Sequence, residues 1–205
     1  MSQKLLIFGV PLRLAALFFF AVAVLPSTCR AQAAPVFKIT PLDSSIKFDV
    51  DASVAIAGTF DKWDATLTFA SADVTTAVLD IKIQADSVHT GSGVKDGKLK
   101  GKDFFDAKSN PLITFHSTKI VQTGPATFEL DGDFTIRGVT KQEKLLLTVA
   151  GKGTGNGTVK GTMAFDRKDY GMNSGIPFIK IANRVEVNVA LKATQVSGPR
   201  IVYQQ

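Results

Sequence analysis

The sequence predicts an all-β protein in which an antiparallel sheet of about eight strands closes into a barrel, with one short helical connection. Apolar residues or glycines alternate with polar ones over residues 128–137, 159–166 and 185–192. This period of two gives each strand one dry face and one wet face, as in an antiparallel sheet. No comparable helical periodicity follows residue 33. A sheet with so many strands and one dry face must close on itself or fold into two layers.

Further strands and the turns between them support this prediction. The same alternation, less clean in the last case, occurs over residues 46–51, 79–84 and 145–149. Turn-forming residues separate the strands at Gly58, Gly124-Pro125, Arg137-Gly138 and residues 151–157. The sequence therefore predicts eight to ten short strands joined mostly by tight turns.

The N-terminal 33 residues have the composition of an export signal. Lys4 and Arg13 supply positive charge, and residues 14–25 form an unbroken apolar run. That run is shorter than the ~20 residues that a membrane-spanning helix needs. Ala31-Gln32-Ala33 fits a signal-peptidase site. We therefore expect residues 1–33 to be cleaved and the product to be periplasmic, with a retained anchor as the alternative.

The expected mature product is one domain over residues 34–205, with its core at about residues 36–194. Its only cysteine, Cys29, would be removed with the signal. Pro26 and Thr28 differ from the residues that usually precede a lipid-modified cysteine, so lipidation of Cys29 is the weaker alternative. Without a thiol or disulfide, burial alone must stabilise the product.

The charge of the chain gives no indication of a nucleic-acid partner. The net charge of +6 arises from 24 basic and 18 acidic residues. Residues 1–33 contain three basic residues and no acidic one, so their removal lowers the net charge to +3. The remaining basic residues alternate with acidic ones and form no basic run.

The chain offers little for catalysis, and we predict no catalytic residue, metal site or cofactor. The two histidines, His89 and His116, have no spacing typical of a metal site. No G-x-S-x-G motif is present, and the glycine-rich stretches lack the fingerprints of nucleotide-binding loops. His89 is expected to brace the loop after its strand. His116 is expected to point outward or to bond to a neighbouring strand.

The connection over residues 86–106 is long for a protein with tight turns. It contains the apolar residues Leu99, Phe104 and Phe105 among charged ones. Phe104 and Phe105 either anchor the connection to the core or cover the mouth of a barrel, and the anchor is the favoured interpretation. Long connections with their own apolar anchors often serve function.

Small residues at predicted dry positions leave two alternatives open. They are Ala57, Ala65, Gly132 and Gly161. Glycine inside a strand is unfavourable unless a bend, a bulge or a closely approaching group requires it. These positions are therefore bends or bulges at barrel corners, or sites that leave room for a bound chain.

The order of several short segments resembles the YceI-like family of bacterial lipid- or polyisoprenoid-binding proteins with a lipocalin-like β-barrel. The matching segments are residues 45–48, 58–60, 86–90, 95–106, 111–115, 134–141 and 166–171. Relatives often carry histidine where this chain has Ala52 and Gly97. If those histidines contact a head group in relatives, this chain holds a different head group or none.

The resemblance implies a long apolar ligand, such as a polyisoprenoid, an isoprenoid quinone or another lipid, held inside the barrel. Alternation then selects ten lining candidates: Phe48, Val50, Phe60, Leu67, Phe69, Phe115, Phe134, Leu147, Phe165 and Val187. Leu99, Phe104 and Phe105 are expected to cover one end. Ligand exchange near a membrane and pairing of two copies through edge strands are further expectations. The alternative function is a non-catalytic stress-response or interaction module with a packed interior.

Overall fold

The computed structural model describes residues 33–53, 55–175 and 179–204, so the predicted signal segment lies outside the described residues except for Ala33. Ten strands and one α-helix follow in chain order: β1 Val36–Ala52, β2 Ile56–Phe60, β3 Trp63–Phe69, β4 Ala77–Gln84, β5 Val88–His89, α1 Gly93–Lys100, β6 Leu112–Gln122, β7 Thr127–Ile136, β8 Val139–Ala150, β9 Asn156–Asp166 and β10 Ile181–Ser197. Short 3₁₀ helices occur at Val74–Thr76, Ala85–Ser87 and Arg167–Tyr170.

The ten strands form one antiparallel sheet that curls into a half-barrel. Their spatial order is β3-β4-β6-β7-β8-β9-β10-β1-β2-β5. The all-β fold and its short helical connection are confirmed, with ten strands where about eight were expected. Strand β3 is one edge of the sheet, and β5 is the other. The ring of Phe37 on β1 lies 5.7 Å from that of Phe69 on β3, so side chains bridge part of the gap between non-neighbouring strands.

The period-two pattern determines which side chains point inward. Strand β7 buries every second residue from Phe128 to Ile136. Its turn into β8 is a two-residue connection, since Ile136 pairs with Val139. Arg137 and Gly138 both have positive φ, at 55° and 73°. This geometry matches the right-handed twist of the flanking strands.

Ala57 does not point inward as predicted; it is exposed. Strand β2 pairs with β1 so that Gly58 lies opposite Phe48 and Ala57 lies opposite Asp49. Because paired residues share a face, Ala57 takes the outer face with Asp49. The inward residues of β2 are therefore Ile56, Gly58 and Phe60.

The interior glycines lie beneath large side chains from neighbouring strands. A Cβ atom on Gly132 would lie 2.6 Å from Cζ of Phe115, and one on Gly58 would lie 2.7 Å from the Phe48 ring. A Cβ atom on Gly161 would lie 2.7 Å from Cδ2 of Leu147. The space beside each of these glycines is thus filled by the protein's own side chains.

The connection between β5 and β6 contains α1 and is fixed by both polar and apolar contacts. The backbone N–H and the hydroxyl of Thr90 donate to Oδ1 of Asp96 at 2.8 and 2.6 Å. The hydroxyl bond is the main reason that the pKa of Asp96 is below its ordinary value. Lys98 donates to Asp103 at 2.6 Å, which lowers the pKa of that carboxyl. Leu99, with Phe104 and Phe105 beyond the helix, is buried in the core.

We predict that Gly132→Ala destabilises the protein. The added methyl group would meet the Phe115 ring at 2.6 Å and the backbone oxygen of His116 at 2.7 Å. Overpacking of this kind costs about 1–3 kcal/mol, and thermal unfolding would show a midpoint several degrees lower. Gly97→Ala is the control, because a Cβ atom there meets nothing within 4 Å and alanine favours the helix. Equal stability of Gly132→Ala and wild type would contradict this packing.

We predict that Asp96→Asn lowers the free energy of unfolding at neutral pH. The folded pKa of Asp96 is below the ordinary value of 3.8, so its ionised form stabilises the fold above that pH. The contribution is lost as the pH falls through the lowered pKa. Urea unfolding at a series of pH values should show the gap between variant and wild type closing in acid. Asp51→Asn, at an exposed position of β1, is the control.

Candidate functional site

Two apolar chambers lie inside the half-barrel. The first, called the Phe128 chamber, has a volume of about 90 Å³. Its wall includes Phe37, Leu67, Phe69, Phe128, Leu147 and Tyr203. The second, called the Phe105 chamber, has a volume of about 60 Å³. Its wall includes Phe48, Phe60, Phe105, Phe134, Phe165 and Val187. Both volumes are well below the ~300–1,000 Å³ of typical small-molecule pockets.

The structure divides the predicted lining residues between the two chambers. Leu67, Phe69 and Leu147 border the Phe128 chamber. Six others border the Phe105 chamber: Phe48, Val50, Phe60, Phe134, Phe165 and Val187. Phe115 is buried but borders neither chamber. A role of any of these residues in ligand binding stays a prediction.

The three residues predicted to cover one end all border the Phe105 chamber. The ring of Phe105 lies 6.3 Å from that of Phe48 and 5.9 Å from that of Phe60. These aromatic contacts fix the connection onto β1 and β2. Leu99 and Phe104 are also buried, and Nζ of Lys98 lies 5.9 Å from the Phe104 ring. The aromatic pair is thus both an anchor and a part of the chamber wall.

Arg167 is the one charged side chain in the wall of the Phe105 chamber, among the residues described there. It is 6% exposed and donates to the backbone oxygens of Ala182, Met172 and Ser174. No carboxylate in the described part of the chain lies within salt-bridge distance of it. Carbonyl dipoles therefore supply the partners for this buried charge.

Tyr170 closes the core behind the Phe105 chamber and is fully buried. Its ring lies edge-on to Phe134 and Phe165, with centroids 5.5 and 5.2 Å away. Its hydroxyl donates to Oε1 of Glu143 at 2.8 Å. Burial, followed by that carboxylate, raises the pKa of Tyr170 far above its ordinary value. The phenol stays protonated and serves as a structural donor.

The C-terminal segment, residues 199–204, crosses the mouth of the Phe128 chamber and is called the strap. Val202 accepts a backbone bond from Val74 at 3.0 Å and donates one to Ala72 at 2.8 Å. Ile201 and Tyr203 face the chamber. The Tyr203 ring lies 6.2 Å from Phe128, and burial raises the pKa of its hydroxyl. The strap thus supplies side chains to the chamber from outside the ten-stranded sheet.

The sequence-based predictions do not include the strap, Phe37, Ile39 or Arg167 among the residues of the interior. Ile201 and Tyr203 alternate with Val202, but three residues are too few to indicate a strand. Phe37 and Ile39 alternate at the start of β1 in the opposite phase to the pattern found from residue 46, because the β1–β10 register shifts between Thr40 and Ser45. No pattern in the sequence around Arg167 indicates that its side chain is buried.

The two histidines lie at the surface and away from both chambers. Nδ1 of His116 lies 2.6 Å from Oδ1 of Asp80 on the neighbouring strand, as expected. Nδ1 of His89 lies 3.7 Å from Asp96, consistent with bracing α1. Across the described residues, no group of three or more His, Cys, Asp or Glu side chains could hold a metal ion. Within the same residues, we find no helix of the length and apolarity that crossing a membrane requires.

The two positions where relatives often carry histidine lie outside the chamber walls. Ala52, at the end of β1, is half-buried against the core. Gly97 lies on the exposed surface of α1. Neither position borders either chamber.

Known structures share this architecture. BcnA from Burkholderia cenocepacia superposes with a TM-score of 0.70 at 25% identity, over 77% of this chain and 100% of BcnA. A Campylobacter jejuni YceI protein gives a TM-score of 0.54 at 25% identity, over 70% of this chain and 84% of its own. A polyisoprenoid-binding domain from Saccharophagus degradans, implicated in plant cell wall breakdown, gives a TM-score of 0.62 at 16% identity. The match covers 78% of this chain and 99% of that domain. This last likeness concerns the fold alone.

Comparison of this sequence with known proteins and with protein-family models identifies the family of the chain. A UPF0312 protein from Pseudomonas savastanoi pv. phaseolicola is 30% identical over 127 residues, which are 60% of this chain and 66% of that protein. The chain thus spans just under two thirds of that relative's length. The family model for the YceI-like domain matches residues 37–193. The chain therefore belongs to the YceI-like family.

Proposed function

We propose that the protein binds a long apolar ligand, such as a polyisoprenoid, an isoprenoid quinone or another lipid, inside its half-barrel. The observation that carries this proposal is the Phe105 chamber, whose wall is apolar except for Arg167. Apolar cavities of this kind exclude water and accept hydrocarbon. Membership of the YceI-like family supports the ligand class, as does the polyisoprenoid-binding domain with the same fold.

The small chamber volumes determine how such a ligand would be held. Burial contributes ~0.8 kcal/mol for each methylene-sized unit, and association entropy and lost chain freedom offset much of this. A useful affinity therefore needs only part of a long tail inside the protein. The remaining tail and the head group would stay outside the chambers.

We further propose that the protein is exported, carries or sequesters its ligand without catalysis, and exchanges that ligand near a membrane. Support for exchange comes from α1, which covers one chamber. On α1, Val94 is 86% exposed, and Lys95, Lys98 and Lys100 outnumber the one acidic residue of the helix, Asp96. Such a surface suits anionic headgroups. Edge strands β3 and β5 offer places where two copies could pair.

One observation favours a second function, a non-catalytic stress-response or interaction module with a packed interior. Side chains fill the space beside the interior glycines, and the chambers are small. This alternative would be favoured if no added lipid or quinone changed the melting temperature and crosslinking recovered a partner protein.

We predict that Val187→Trp displaces ligand from the Phe105 chamber. Val187 borders that chamber, so a larger side chain would occupy its space. Native mass spectrometry with organic extraction, after bacterial expression, should show ligand occupancy reduced about tenfold or more, since one or two methylene-sized contacts are worth that factor. Val196→Trp is the control, because Val196 lies on the same strand and is 58% exposed. Wild-type protein that is empty from both the periplasm and lipid-supplemented refolding would rule out the proposed function.

We also predict that the exported protein begins at Ala34. Expression of the full chain in a bacterium, fractionation of the periplasm and intact-mass measurement would show the loss of residues 1–33. Replacing Ala33 with a bulky residue should block that cleavage, whereas replacing Ala34 should not. A product that keeps its N-terminus, or one that carries lipid on Cys29, would contradict this expectation.

A further inference from the structure

The two chambers have no wall residue in common. Some strands contribute one wall residue to each chamber. On these strands, a buried residue that borders neither chamber lies between the two wall residues. On β4, Leu79 borders the Phe128 chamber and Ile83 the Phe105 chamber, with Ile81 between. On β10, Val189 lies in the same way between Leu191 and Val187.

The same arrangement recurs on the strands next to these two, β6 beside β4 and β9 beside β10. On β6, Phe115 separates Ile113, at the Phe105 chamber, from Ile120, at the Phe128 chamber. On β9, Met163 precedes Phe165 of the Phe105 chamber. These separating side chains are all at most 7% exposed. Together with Leu145 of β8 they form a layer, called the partition: Ile81, Phe115, Leu145, Met163 and Val189.

Contacts across the sheet join the members of the partition. Phe115 lies opposite Ile81 in the β4–β6 pairing, and its ring covers Gly132 on β7. Leu145 reaches over Gly161, whose backbone is paired with Val189 on β10. The glycines thus let two large side chains extend into the middle of the barrel. Phe115 has the largest side chain of the layer.

We propose that the partition makes the interior two separate apolar sites and that Phe115 determines how long a hydrocarbon chain either site can take. This inference rests on the proposed function and specifies the ligands of the same interior. A chain that enters one chamber meets the partition and must leave its remaining length outside. Removing the Phe115 ring joins the chambers and lets one chain pass from one to the other.

The first test uses ubiquinones with one, four and ten isoprene units, which share a head group and differ in chain length. For the wild type, we expect affinity to change little beyond the shortest chain. Phe115→Leu and Leu145→Ala should each increase the affinity for the longer chains, by about tenfold relative to the shortest. The milder Phe115→Leu is used because complete removal of the ring could unfold the protein.

Phe128→Leu is the matched control, because the same substitution at this residue enlarges one chamber and leaves the partition in place. It should increase the affinity for the shortest ubiquinone, and the affinity should still change little with chain length. The inference is overturned if wild-type affinity already rises steadily with length, or if both partition variants keep the wild-type length profile.

A second test does not depend on the natural ligand. Xenon binds dry apolar cavities, so methyl NMR shifts at increasing xenon pressure should report two independent sites in the wild type. In Phe115→Leu, the two sets of shifts should become coupled. One shared site in the wild type, or two unchanged sites in the variant, would overturn the inference. Failure of every ubiquinone to bind, with two xenon sites that become coupled in Phe115→Leu, would reject isoprenoid quinones as the ligand of the proposed function and would leave the partition in place.

Discussion

The structure depends on large side chains that lie over glycines of neighbouring strands. Phe48 covers Gly58, Phe115 covers Gly132, and Leu147 covers Gly161. A curled sheet of ten strands has an interior that must be filled by side chains or by a ligand. Because the glycines present no Cβ atom, each covering side chain can extend toward the barrel centre. The result is an interior that is narrow and mostly filled.

This packing explains why the interior is two small chambers instead of one wide cavity. Glycine within a strand loses side-chain packing and conformational entropy, so a neighbouring group must compensate. Here that group is a phenylalanine or leucine from the same protein. The sequence left two interpretations of these glycines open, bends or bulges on the one hand and room for a bound chain on the other. At Gly132 the β6–β7 register shifts between Ser117 and Lys119, so an irregularity does lie opposite this glycine, and the protein's own side chains fill the space beside it. The remaining space is divided between the Phe128 chamber and the Phe105 chamber, which lie at different levels along the barrel.

The strands could be predicted because their signal is local. Strand β7 alternates over its whole length, and its inward set from Phe128 to Ile136 is the one that the pattern indicates. Ala57 was assigned to the wrong face because β2 has only five residues and too little alternation to fix its phase. Its pairing with β1 decided the face instead. Pairing between strands is a long-range property that one sequence does not reveal.

The candidate site was less predictable for the same reason. Alternation identifies inward residues but not their level along the barrel, which depends on strand register. Phe115 and Phe134 look equivalent in sequence, yet Phe134 borders a chamber and Phe115 separates two. The strap was missed because its contacts with Ala72 and Val74 join segments more than a hundred residues apart.

The two ends of the barrel are closed by segments of different stability. Opening the Phe105 end exposes three anchoring side chains, Leu99, Phe104 and Phe105, each worth about 1.5–3 kcal/mol when buried. The exposed ion pair between Lys98 and Asp103 adds little to this. Opening the Phe128 end exposes only the two half-buried side chains of the strap, Ile201 and Tyr203.

The strap is otherwise held by bonds that water can replace. These include its two backbone bonds at Val202 and a bond from the Gln195 side-chain amide to the backbone oxygen of Pro199. The side-chain amide of Gln122 also donates to the backbone oxygen of Gln204 and accepts from its backbone N–H. Lys152 also lies 4.2 Å from the centre of the Tyr203 ring, a cation–π contact at the surface. The segments that bury the least apolar surface open locally at the lowest free-energy cost. The strap therefore opens at a lower free-energy cost than the connection, so the Phe128 chamber opens to solvent with less disruption of the core than the Phe105 chamber does.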